Sequence, residues 1–182
     1  MKYDLGELIQ NDEKFKKFQT QYYTSIKYLA TTHRLKLSLE YLECSQERLK
    51  IKDIFIYKTC LEMAIITYSA CFNNSKALLK ISDKINNILN GNKILKQTHD
   101  KVMYYRDKVL AHQDKVDELG YHIDLLKNDD DIILEFPFLL KFKFDNNDQK
   151  NFHNLIIKVH DYLDSERQKH DKKFKQDLSE IL

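Results

Sequence analysis

Apolar positions recur every three or four residues through Phe15, Phe18, Tyr22, Ile26, Leu29, His33, Leu37 and Tyr41. That spacing predicts one stripe of a long amphipathic helix. Asn11 and Asp12 supply its start signal, with Glu13 as an acid in the first turn. His33 lies on the stripe and reads as a core or interface histidine, since no second metal-type residue accompanies it at helical spacing. A second helix is expected to begin near Ser45 or Gln46. Over 54–72 it is apolar on nearly every side, which predicts a central, buried helix. Only Lys58 and Glu62 interrupt the run, one turn apart. They either pair internally or one of them faces a polar site, because an unpaired buried charge is costly.

Asn73-Asn74 ends this helix. Ser75 and then Ser82-Asp83 open shorter helical pieces that run to Asn90, where Gly91-Asn92 is a stop. A helix over 93–119 is expected next, closed by Gly120. The pattern then changes. Ile132-Ile133-Leu134 and Phe136-Pro137-Phe138-Leu139-Leu140 look extended, and Lys141-Phe142-Lys143-Phe144 alternates charge with ring as a half-buried strand does. Asp129 to Asp131 reads as a tight connection. After Asp145–Asp148 a last long helix follows, with Phe152, Leu155, Ile156, Val159, Tyr162 and Leu163 on its inner face and a solvated, Lys-rich end at 168–176. The expected fold class is all-α: a helical bundle, one domain over 1–182, with a small extended or β-hairpin insert near 121–144.

Composition narrows the function classes. Three Gly and one Pro in 182 residues are too few for a fold that turns often, such as a sandwich or barrel. Thirty Lys and Arg against 28 Asp and Glu leave a net charge of +2, so any nucleic-acid contact must come from a local patch. Cys44, Cys60 and Cys71 form no Cys-x-x-Cys pair and read as buried, reduced thiols. The charged start Met1-Lys2-Tyr3-Asp4 does not read as a signal peptide, and no apolar run is long enough to span a membrane. The expectation is a cytoplasmic protein with no membrane partner.

Candidate chemistry concentrates in Tyr105-Arg106-Asp107-Lys108-Val109-Leu110-Ala111-His112-Gln113-Asp114. On an unbroken helix Val102, Val109 and Val116 share a ridge, with Arg106 and His112 each about 60° to either side. A seam repeating every seven residues suits a partner helix. If that partner is the same helix of a second copy, twofold symmetry gathers two Arg106 and two His112 in one cleft. These side chains suit RNA cleavage. Histidine can take the proton of the 2′-hydroxyl, arginine can hold the phosphate bidentately, and Asp107 can orient either one. No metal and no cofactor are required. There is no Gly-rich phosphate loop, no G-x-S-x-G elbow and no His-x-x-x-His spacing. His99, His122, His153, His160 and His170 are scattered and read as structural or solvated.

Arg106-Asp107-x4-His112 resembles the signature of the HEPN superfamily, in which an arginine is followed directly by Asn, Asp or His and, four to six residues beyond the arginine, by a histidine. The surrounding residues are similar to HEPN proteins of the abortive-infection type. The resemblance implies an all-helical bundle, a homodimer with a composite site, and metal-independent endoribonuclease activity in a toxin or phage-defence effector. It implies catalytic roles for Arg106 and His112, a supporting role for Asp107, RNA as substrate, and an antitoxin or defence-system protein as partner. Lys58 and Glu62 would stand behind the site. Members paired with a nucleotidyltransferase antitoxin carry a modifiable tyrosine two residues after the histidine, where this chain has Asp114. Two other readings stand beside this one. The first is a non-catalytic HEPN-like dimeric module that binds nucleotide, RNA or protein. The second is a plain helical scaffold in which Arg106 and His112 are ordinary surface groups.

Overall fold

Asp53, Asn92 and Asp145 each turn a side-chain oxygen onto an amide of a first helical turn, accepting from Ile56 N at 3.2 Å, Leu95 N at 3.1 Å and Asp148 N at 2.8 Å. These caps satisfy amides that a helix start leaves unpaired, and so fix where three helices begin. At Asp145 the cap is reciprocal, because Asp148 Oδ2 accepts from Asp145 N at 3.0 Å. The structure, a computed structural model, describes residues 4–73, 77–107, 124–128, 131–135 and 144–181. Its elements run α1 (Leu5–Asn11), α2 (Glu13–Lys16), α3 (Gln19–Lys50), α4 (Ile54–Ala70), α5 (Ser82–Asn90), α6 (Lys93–Tyr105), β1 (Asp124–Asn128), β2 (Asp131–Glu135) and α7 (Asn146–Ser179). The fold is the expected helical bundle. In the insert, β1 pairs antiparallel with β2 in a register that sets Asp124 opposite Glu135 and Asn128 opposite Asp131. The expected extended run 136–143 lies outside the described residues, as do Asn74, Ser75 and the chain from 108 to 123.

α3 is the spine, packed on α4 along one side and on α7 along the other, while α6 lies against α7 and α4. Its buried face carries Tyr28, Thr31, Leu35, Ser38, Leu42 and Ser45. This corrects the expected stripe, since Ile26, Leu29 and His33 are exposed. The physical reason is the closeness of two backbones. Ser38 Oγ donates to Ala64 O at 2.7 Å, which only a short side chain can do. Thr31 Oγ1 donates to Lys27 O at 2.7 Å and accepts from Leu79 N at 3.1 Å, tying the segment before α5 to α3.

The second helix does not begin near Ser45. Ser45 is buried inside α3 and donates back to Leu42 O at 2.6 Å, a bond that satisfies a serine within a helix. α3 stops instead in a Schellman motif, with Lys52 N on Leu49 O at 3.1 Å and Asp53 N on Arg48 O at 3.0 Å. Lys52 adopts the left-handed conformation (φ 61°) that glycine usually takes there. α4 is not buried all round. Leu61, Ala64, Ile65, Tyr68 and Cys71 face the core, but Phe55, Ile56, Met63 and Ile66 are exposed.

The inner face of α7 is the expected one: Phe152, Leu155, Ile156, Val159 and Leu163 are fully buried. Its Lys-rich end is not wholly solvated, because Phe174 joins Ile9, Phe15 and Phe18 in a second small core. Among the described residues no helix is long and apolar enough to cross a membrane.

Candidate functional site

α6 packs against the C-terminal end of α4. Tyr68 and Phe72 meet His99, and Asn73, just past α4, meets Arg106, two turns beyond His99 on α6. Their C-terminal ends therefore finish together, and Arg106 stands there. A cation is favoured at that place, where unpaired carbonyls make a helix end partly negative. The Arg106 side chain is 25% exposed. Its Nη1 donates to Asn73 Oδ1 at 2.8 Å. Its buried Nε lies 2.5 Å from Asp107 Oδ1, an ion-pair contact rather than an aligned hydrogen bond. Asp107 is half-exposed and oriented toward the arginine.

Arg106 and Asp107 are thus brought together, and Asn73 joins them. No spacing in the sequence marks Asn73, since it reaches Arg106 across 33 positions and only the packing of α6 against the end of α4 supplies the contact. His112 lies outside the described residues, and so do Val109 and Val116 of the expected seam. At Arg106 and Asp107 the backbone opens into a wider, π-type turn. The angles taken from an unbroken helix therefore do not carry past Tyr105 unchanged.

Lys58 and Glu62 are on α4, away from this end. Glu62 is half-buried. Burial raises its carboxyl above the ordinary value and the Lys58 charge opposes the rise. Glu62 stands eleven residues before Asn73, about 16 Å along a helix axis, so it does not reach Arg106 as a neighbour.

Behind Arg106, seven residues earlier on the same face of α6, is His99. Its Nδ1 shares a 2.9 Å hydrogen bond with the hydroxyl of the fully buried Tyr68. The rings of Phe72 and Tyr68 stand edge-on to it at 4.7 and 5.9 Å. Burial lowers the imidazole below its ordinary value of 6.5, while Asp100 pulls the other way. A neutral His99 makes stability depend on pH. The unfolded chain takes up this proton near pH 6.5, but the folded chain does so only at lower pH, so the contribution is present above pH 6.5 and is lost as pH falls below it. The thermal midpoint is expected to fall between pH 7 and pH 5 more steeply in the wild type than in His99→Gln. Parallel curves for the two proteins would show that His99 is not the group responsible.

A serine, a histidine and an aspartate also converge where α3 meets the end of α7. Ser25 Oγ donates to Asp171 Oδ1 at 2.8 Å and lies 3.2 Å from His170 Nδ1, itself 3.6 Å from Asp171 Oδ1. A hydrolytic triad needs the acid on one ring nitrogen and the serine on the other. Here both meet Nδ1 and the carboxylate takes the serine proton directly, so the trio is a polar clasp between two helices. Among the described residues no group of three or more His, Cys, Asp or Glu side chains gathers as a metal site would need. No family model matches the chain, and neither does any curated protein or solved structure compared with it.

Proposed function

We propose that the chain is a metal-independent endoribonuclease of HEPN type, acting as a homodimer in a toxin or phage-defence role. The observation that carries this reading is the run Arg106-Asp107-x4-His112 together with the state of its arginine. The guanidinium is fixed by Asn73 on one edge and Asp107 on another, yet is part-exposed at the shared end of two helices. A fixed fork loses little freedom when it takes a phosphate, and its charge persists at any working pH.

In this mechanism His112 takes the proton of the 2′-hydroxyl, and the 2′-oxygen attacks the adjacent phosphorus. Arg106 stabilises the charge that builds on the non-bridging oxygens. The bond to the 5′-oxygen breaks, and that oxygen leaves with a proton from the partner's His112. The products are a 2′,3′-cyclic phosphate and a 5′-hydroxyl. The test is total RNA incubated with purified protein in EDTA, followed by end-group analysis. Cleavage with cyclic phosphate ends, no cutting of DNA, and a dimer by sedimentation are expected. Dependence on added Mg²⁺, or a strictly monomeric active protein, would sink the reading.

A second reading has one observation in its favour. Among the described residues Arg106 bonds to Asn73 and pairs with Asp107, as an arginine that only ties α6 to the end of α4 in a non-catalytic binding module would. Arg106→Lys separates the two. A tie survives with a lysine, whereas bidentate phosphate binding does not.

A further inference from the structure

Cys44 on α3 and Cys60 on α4 were expected to be separate buried thiols. They face each other across the α3–α4 hairpin with their sulfurs 3.2 Å apart, inside ordinary sulfur contact, and both are partly exposed. The sixteen-residue separation hides this in the sequence. It becomes a contact only because α3 runs on to Lys50, turns through Lys52 and returns as α4. Cys71 is different. It is buried, and its sulfur is near the Thr67 and Thr31 carbonyls at 3.7 and 4.0 Å.

We propose that Cys44 and Cys60 form a reversible intramolecular disulfide when the protein meets a hydroperoxide. The sulfurs must close to about 2.0 Å, a shift that two partly exposed side chains near a helix turn can make. The Cys60 thiol donates its hydrogen bond to Cys44 Sγ. Burial and this contact push the Cys60 thiol up to about 11, so Cys60 keeps its proton and Cys44 is the sulfur left to attack. Arg48 stands one turn beyond Cys44 on α3.

The step balances. The Cys44 thiolate attacks the peroxide, the O–O bond breaks, an S–O bond forms, and the released hydroxide takes the proton that the Cys44 thiol gave up and leaves as water. The Cys60 sulfur then attacks the sulfenic sulfur, S–S forms, S–O breaks, and the second oxygen leaves as water with the Cys60 proton. Both sulfurs are oxidised and the peroxide is reduced to two waters. The bridge would staple the hairpin around residues 45–59. This inference is independent of any ribonuclease activity.

The experiment treats the folded protein with hydrogen peroxide, removes the excess, blocks remaining thiols with iodoacetamide and maps peptides without reductant. The expected result is a chain lighter by two hydrogens before the alkylation, with one cross-link joining Cys44 to Cys60 and Cys71 outside it. Dithiothreitol should reverse it. The oxidised protein should melt higher by about 8 °C, the gain expected from closing a loop of this size in a chain of this length. Cys71→Ser should behave as wild type, while Cys44→Ser and Cys60→Ser should form no bridge. In Cys60→Ser, dimedone should label Cys44. Two alkylatable thiols remaining at 44 and 60, a bridge that includes Cys71, or chains linked to one another would overturn the proposal.

Discussion

His112→Ala should remove detectable RNA cleavage, a loss of about 10²–10⁴ in rate for a missing general base. The reason is chemical. RNA carries its nucleophile beside the phosphate, and the slow step needs that hydroxyl deprotonated while negative charge builds on phosphorus. An imidazole titrates near neutrality, so it can take the proton and later give one up. In the proposed mechanism Arg106 supplies the charge stabilisation separately, so Arg106→Ala should be as damaging, and Arg106→Lys nearly so. Asp107→Asn should be milder, because it weakens the orientation of Arg106 while the guanidinium keeps its bond to Asn73. The dimer should persist in His112→Ala. An RNA whose 2′-hydroxyls are all methylated should resist the wild type. Activity surviving in His112→Ala, or cutting of the methylated RNA, would defeat this mechanism outright.

What could be read from the sequence depended on whether one chain segment decided it. Caps are local, and Asp145 with Asp148 was legible as the start of α7 because both partners lie within one turn. The inner face of α7 was legible too, since large apolar residues alone build it. The sequence pattern misplaces the buried face of α3 because that face is partly made of hydroxyl residues. A search for large side chains every three or four positions passes over Thr31, Ser38 and Ser45 and selects Ile26 and Leu29, which end up outside. The turn after Lys50 is hidden in the sequence for a related reason. A helix stop is usually recognised by glycine, and here Lys52 takes the left-handed position. At the candidate site the motif made Arg106 and Asp107 visible as neighbours. Asn73 was not visible, nor were Tyr68 and Phe72 as the partners of His99, because α6 packing against the end of α4 supplies these contacts. The same holds for the Cys44–Cys60 contact, which depends on where the hairpin turns.

Phe152→Ala should lower stability by about 3–5 kcal/mol, the range for removing a fully buried phenylalanine ring. In a chain of this length that is a fall in the thermal midpoint of roughly 10 °C or more. Phe152 is 0% exposed and stands edge-on to Tyr68 at 5.3 Å and to Phe144 at 5.9 Å. Each edge-to-face pair adds about 0.5–1.5 kcal/mol beyond the area it buries. The substitution therefore leaves a cavity and two unsupported rings. Phe55→Ala is the matching control. It removes the same ring from α4, but Phe55 is 81% exposed, so a change within about 0.5 kcal/mol is expected. Burial, not residue type, would then account for the difference. The effect should also reach the candidate site. Phe152 backs Tyr68, Tyr68 holds His99, and His99 packs on Phe72 beside Asn73, the residue that fixes Arg106. Loosening that chain should weaken cleavage even at temperatures where Phe152→Ala remains folded by circular dichroism. Equal melting of the Phe152 and Phe55 variants would show that this aromatic cluster is not the core of the bundle.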